Sequence, residues 1–338
     1  KRSIGIDLSK PEGVELVYRL AAMSDVFLTN KLPAVRSKLR IDVDDIRAHN
    51  PRIVYVRGSG YGVRGPDVDQ GGYDALAYWA RAGNAMASMV PEIDYVPGQP
   101  APALGDSIGA MNIAGGIAAA LLHRERTGEA TVVDVSLLAT GVWAQSAAIA
   151  LSLDAGEPWS GRTDRDTGGP RNPLTGNYRT ADDKWVSFSM LQGFHYWRDT
   201  CEVLGMPELA DDPRFATPES FFANGTIGAE YVAKAIASAP LSEWKQRLRK
   251  LKGQWSPVQD VLEVAEDPMV IENGYILETE TYTGRRVKLV TTPVQFDEEP
   301  APPGRSPAFN EHGDDILRDE LGLDMDTIID LKVKGVVA

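Results

Sequence analysis

The chain of 338 residues is nearly without cysteine: Cys201 is its single thiol. That excludes an internal disulfide and any thiolate cluster for zinc or iron, and it suits a reducing compartment. Histidine is almost as scarce. His49, His123, His195 and His312 are scattered, and none has a metal-ligand partner four residues on or an acidic motif close by, so no histidine-built metal centre is expected. Positive charge is short too, with 35 Lys and Arg against 48 Asp and Glu, a formal net charge of −13. Such a surface repels nucleic acid and anionic membranes at long range, so neither is an expected partner. No apolar run approaches the ~20 residues of a membrane span, and no segment reads as a signal peptide; the expected place is the cytoplasm. The Gly58–Gly62 run lacks both the glycine spacing and the downstream acidic residue of a dinucleotide fingerprint.

What remains is an ordinary globular composition, 43% hydrophobic and 25% charged, in a chain long enough for two domains. The first part alternates strand-like and helix-like stretches: Ser3–Leu8, Gly13–Met23, Asp25–Thr29, a helical stretch, then Ile53–Arg57. This order predicts a parallel sheet with crossover helices, whose ligands bind beyond the carboxyl ends of the strands. A small-residue helix from Ile108 to about Glu125, a strand Thr131–Val135 and a helix from about Leu137 to Leu153 continue the unit. The composition then turns to Gly, Asp, Arg and Pro without hydrophobic period, which reads as a linker or functional loop. Beyond it, Tyr178–Thr180 and Trp185–Ser189 predict a hairpin. Short strands are expected at Arg286–Val290 and near Thr292–Phe296, and terminal helices at Asp314–Leu321 and Asp326–Lys334. The expected division is a large domain over 1–155, a linker over 156–177, a small domain over 178–300 and a return to the large domain over 301–338.

Four stretches carry a resemblance. They are Lys1–Leu8; Asp25–Asn30 followed by Asn50–Tyr55; Gly105-Asp106-Ser107 ahead of a Gly/Ala helix that runs through Leu121–Gly128 to Val133–Ser136; and Asn172-Pro173-Leu174 leading to Tyr178. In this order and spacing the chain resembles the class III CoA-transferases, a group that includes formyl-CoA transferase, carnitine CoA-transferases and the related α-methylacyl-CoA racemases. The resemblance implies an α/β fold with a doubly wound parallel-sheet large domain and a smaller α/β domain, two copies of which interlock as a homodimer. It implies transfer of CoA between an acyl-CoA and a carboxylic acid, with coenzyme A arriving as substrate and no permanently bound cofactor.

Residue by residue, the resemblance makes Asp106 the nucleophile. A carboxylate suits this chemistry because the mixed anhydride it forms with an acyl group lies close enough to a thioester for CoA thiolate to attack back. By residue type alone Asp106 is a helix N-cap, and the two roles are compatible. Racemases of this fold use a histidine where this chain has Tyr73, a poor proton shuttle near neutral pH, so the racemase reading is the disfavoured alternative, alongside a catalytically silent CoA-binding protein. Tyr73 is assigned to the acyl site, against a plain aromatic packing role. For CoA the resemblance points to Ile6, Ser9, Asn30, Lys31, Lys38 and Leu39, and Arg36, Lys38 and Arg40 offer cations for phosphates. Gly168 and Gly169 match a glycine-rich loop over the active site, or else a linker. The basic run Lys245–Lys250 is assigned no ligand. Two departures stand out: family members carry a further segment before the stretch matching Lys1, and Gly71 stands where some carry a lysine.

Overall fold

The computed structural model describes residues 1–90, 93–159 and 171–338. Its contacts divide the chain into two units, Lys1–Gly161 with Arg305–Ala338, and Arg162–Gly304.

The first unit is mixed α/β. In chain order it holds α1 (Pro11–Ala22), β1 (Val26–Thr29), α2 (Pro33–Leu39), α3 (Val43–Arg47), β2 (Val54–Ser59), a π-helical segment (Ala75–Arg81), α4 (Asn84–Ala87), α5 (Leu104–Thr127), β3 (Val132–Ser136), α6 (Leu137–Ala144) and α7 (Ser146–Ala155). The strands form one parallel sheet in the order β1-β2-β3. Both faces of β2 are covered. Tyr55 packs to one side with Ala21, Ile41, Ile46 and Ile53, while Val54 and Val56 pack to the other with Ala120 and the flank of α5. Strands buried on two faces read as continuous apolar runs, which is why Ile53–Val56 shows no alternation.

The segment Ser3–Leu8 does not form the expected strand. It makes one bridge, Ile6 to Val337, and its backbone is otherwise laced to the end of the chain. Asp7 N–H donates to Val336 O at 2.9 Å, Ala338 N–H to Gly5 O at 3.1 Å, and His312 N–H to Ser3 O at 2.9 Å. Ile4 and Ile6 pack against a core of Leu16, Leu317, Leu321, Ile328, Leu331, Val336 and Val337. The alternation therefore reports one apolar face on a helical cluster and no sheet membership. That cluster is built by α14 (Gly313–Asp315), the π-helical turn Ile316–Glu320 and α15 (Met325–Val333).

Three further differences concern the helices. First, α5 starts at Leu104, a turn earlier than the sequence predicts, because Ala103 takes the cap position in a left-handed conformation with φ 56°. Second, α5 is long and apolar enough by composition to cross a membrane, with mean hydropathy 1.3, a feature the sequence reading passed over; here Ile113, Ile117 and Leu121 of this helix pack on the sheet. Third, the single helix expected from Leu137 is two, α6 and α7, bent by 66°. The break falls at Gln145, whose side-chain amide donates to Asn84 Oδ1 at 2.8 Å.

The second unit opens on an antiparallel sheet of β4 (Thr175–Arg179), β5 (Trp185–Ser189) and β6 (Trp255–Val258), in that order. Its core gathers Trp197, Phe215, Phe221, Val232, Ile236 and Trp244. Buried indoles need acceptors, and both find one: Trp197 donates to Leu209 O and Trp244 to Ile236 O. Cys201 lies in this core, and burial pushes its thiol up to about 12, which keeps it protonated and unreactive. A separate hairpin pairs β7 (Ile276–Glu280) with β8 (Arg286–Val290). Near 292–296 there is only the isolated bridge Phe296 to Glu299 in place of the expected strand.

Candidate active site

All three parallel strands of the first unit deliver their carboxyl ends to one cleft of about 820 Å3, within the range of small-molecule sites. Asn30 and Lys31 follow β1, Gly58–Gly62 close β2, and Ser136 closes β3. Ser136 also caps α6 by accepting from Ala139 N–H at 3.0 Å. One face of α5 forms a wall, since Asp106, Gly109, Ala110 and Ile113 recur at helical spacing and all line the cleft. Tyr73 and Leu76 line it from the loop and π-helical segment.

The position of Asp106 is set by its neighbour. Gly105 lies against Tyr78 so closely that a Cβ there would sit 2.5 Å from the ring, so only glycine lets α5 begin at this point. A second close approach, Gly60 against Gly72, brings the loop after β2 next to the Tyr73 segment; a Cβ on Gly60 would meet Gly72 Cα at 2.9 Å.

Asp106 is in the first turn of α5, where a carboxylate faces the positive end of the helix. It caps nothing: the cap residue is Ala103, and the first helical bond is Ser107 N–H to Ala103 O at 2.9 Å. Its exposed side chain has no hydrogen bond or ion pair to the described residues. Partial desolvation raises its pKa above the ordinary carboxylate value, and the charge of Asp74 raises it further. Asp74 itself is buried, accepting from Ala75 N–H at 2.7 Å and from the Gln99 amide at 3.0 Å.

Three cations line the cleft: Lys31, Arg36 and Arg57. Arg57 is held by both oxygens of Asp134, at 2.6 and 2.9 Å, across directly paired positions of β2 and β3. The hydrogen bond that it donates to Asp134 raises the pKa of this guanidinium. Arg36 is buried and donates to Lys31 O at 2.7 Å and to Asp42 at 3.2 Å. Lys31 has no ion-pair partner among the described residues.

Of the residues singled out in the sequence, the structure brings Asn30, Lys31, Arg36, Tyr73 and Asp106 together in this cleft. Tyr73 is 78% exposed, so the packing role is not the one it plays. Ile6, Ser9, Lys38 and Leu39 lie outside its lining: Ile6 bridges Val337, Ser9 bonds to Asp7, Lys38 is exposed and Leu39 packs on the Tyr55 core. Gly168 and Gly169 lie outside the described residues. None of the four histidines lines the cleft. His49 stacks on Tyr18, His312 accepts from Ser3 N–H, and His195 meets Tyr196 edge-on. The sequence reading missed Asp74, Arg57 and Leu76. Opposite charges at facing positions of adjacent strands were a usable signal for Arg57 and Asp134.

A family model described as CoA-transferase family III matches residues 1–313. The chain belongs to CoA-transferase family III. Among its relatives is the (R)-2-hydroxy-4-methylpentanoate CoA-transferase of Clostridioides difficile, 26% identical over an alignment that covers all of this chain and 83% of that protein. Another is the succinyl-CoA:glutarate CoA-transferase of Mus musculus, 27% identical over all of this chain and 76% of that protein. A solved structure of a CAIB/BAIF family protein from Brucella suis superposes with a TM-score of 0.76 at 27% identity, covering 95% of this chain and 82% of that one.

Proposed function

We propose that this family III enzyme moves CoA between an acyl-CoA and a carboxylic acid through a covalent intermediate on Asp106. The observation that carries the reading is an exposed carboxylate, without a partner among the described residues, in a cleft at the carboxyl ends of three parallel strands. Asp106 attacks the thioester carbonyl, and the C–S bond breaks to give a mixed anhydride and CoA thiolate. The thiolate attacks the aspartyl carbonyl, releasing the donor acid and leaving an aspartyl-CoA thioester. The acceptor carboxylate then attacks that thioester, expelling CoA thiolate, and the thiolate takes the acceptor acyl group from the new anhydride to restore Asp106. Each tetrahedral oxyanion needs donors. The N–H groups of Leu104, Gly105 and Asp106 precede the first helical bond of α5 and suit this role, typically ~3 kcal/mol each. Lys31 supplies positive charge for CoA phosphates, with Asn30 beside it. A racemase needs a second proton-transfer group, and the cleft offers Tyr73 in place of a histidine.

Two further parts of the reading rest on the family: a doubly wound large domain with a smaller α/β partner, interlocked as a homodimer, working in the cytoplasm. The exposed apolar side chains of α5 to α7, Trp143 at 76% and Leu153 at 80% among them, support a covered surface there.

Incubation with an acyl-CoA, reduction with borohydride and peptide mapping by mass spectrometry tests the chemistry. The label is expected at Asp106, and Asp106→Asn should abolish it and cut turnover more than about a thousandfold. Stability should change by no more than about 0.5 kcal/mol, as for an exposed side chain without partners. A label elsewhere, or turnover in the Asp106→Asn variant, removes the reading.

A further inference from the structure

We infer that the acids exchanged in this cleft carry a single carboxylate on an uncharged body, so that a dicarboxylic acid is a poor donor or acceptor. The inference rests on the transferase reading of Asp106 and adds the substrate class. It starts from what lies next to the reacting carboxylate. The start of α5 lies against Tyr78, and from the Tyr73–Leu76 stretch that leads to it Tyr73 and Leu76 line the same cleft as Asp106. Leu76 is 51% exposed, an apolar surface left open towards the cleft. Val68 and Leu137 add further apolar lining.

The second, remote carboxylate of a dicarboxylic acid needs a cation with free hydrogen-bonding capacity, because burying an unpaired charge is costly. The described lining offers three cations, and two are committed within the protein. Arg57 spends its fork on Asp134, and Arg36 is tied to Asp42 and to the Lys31 carbonyl. Lys31 follows β1, beside Asn30, where the CoA phosphates are assigned. Asp74 adds negative charge close enough to be felt at Asp106, so a second anion here meets repulsion from two carboxylates. Like-charge juxtaposition is an effective means of rejecting a competing ligand.

Gly71 offers a way to reverse the preference. It lines the cleft, and a Cβ there meets nothing within 4 Å, so a side chain can be started there without a clash. The comparison uses hexanoyl-CoA and adipoyl-CoA, equal in length and different by one carboxylate. The rate of borohydride-trapped labelling of Asp106 is measured with each. Wild-type protein is expected to label at least about tenfold faster with hexanoyl-CoA, and Gly71→Lys should shrink that ratio by a similar factor while leaving the label on Asp106. Leu76→Lys places a cation on the same wall and should act in the same direction. Equal or faster labelling by adipoyl-CoA in the wild type overturns the substrate class and leaves the transferase chemistry standing. A ratio unmoved in both lysine variants overturns the charge argument, and absence of a label from either donor removes the transferase reading and this inference with it.

Discussion

At the scale of single residues, the distinction that matters is between a carboxylate that is bound and one that is not. Asp74 is buried with two donors, whereas Asp106, which feels its charge, has none among the described residues. The arrangement keeps Asp106 more basic than an ordinary aspartate, with its oxygens uncommitted among the described residues. A raised pKa in an acid means that the reactive anion is lost at a higher pH than usual as the solution is acidified. Labelling of Asp106 should therefore fall on an acid limb above the reference value of ~3.9. Asp74→Asn removes the negative neighbour, lowers the pKa of Asp106 and should move this limb to lower pH, read as the pH dependence of kcat/KM. A limb that stays in place would leave desolvation, the larger cause, as the sole origin of the shift. The same imbalance has a cost in stability. A carboxyl whose folded pKa is raised destabilises the fold where it is ionised, above its unfolded pKa, and the penalty is relieved as pH falls through that range.

Among the secondary-structure elements, α5 connects sequence most directly to chemistry. Its first turn carries Asp106, its middle packs on β2 and β3 through Ile113, Ile117 and Leu121, and Gly105 fixes where it starts. Gly105→Ala adds a methyl group that meets the Tyr78 ring, so the helix start or the ring must move. A displacement of about 1 Å at a reacting group costs on the order of a hundredfold in rate. The expected result is a large fall in kcat with Asp106 still present, measured by steady-state turnover; turnover unchanged would show that the ring yields and the helix does not. The sequence made much of this element layer legible. Asp25–Thr29 and Ile53–Arg57 appear as β1 and β2, and the two segments around Ala181-Asp182-Asp183-Lys184 form the β4–β5 hairpin. What misled was local alternation without a partner strand. Ile4, Ile6 and Leu8 repeat with period two, yet their partners are residues more than 300 positions away, which no window of sequence reveals. Likewise the start of α5 depends on a left-handed Ala103, a conformation that composition does not announce. At the site, Asp106 and Tyr73 were visible through a resemblance, while Asp74 and the Arg57–Asp134 pair needed the fold to place them.

For the whole molecule, the open question is what covers the apolar side chains of α5 to α7. Trp143, Leu151 and Leu153 lie on consecutive helices of the first unit, and all are more than half exposed. An interlocked pair of chains would bury such side chains, so sedimentation equilibrium is expected to report twice the mass of one chain. Replacing both Trp143 and Leu153 by Glu should shift the distribution towards single chains, because each charge must be desolvated on association. A monomer in the wild type would refute the dimer, without touching the chemistry at Asp106.

The first unit is discontinuous, since Leu16 completes its packing only with Leu317, Leu321 and the turns of α15. On a ribosome moving at ~5–20 residues per second, the interval between these two segments is about 15–60 s. During that time the second unit emerges in full while the first still shows part of its apolar surface to the cell. A nascent chain is therefore expected to need that surface shielded until Ile328 and Leu331 have been made.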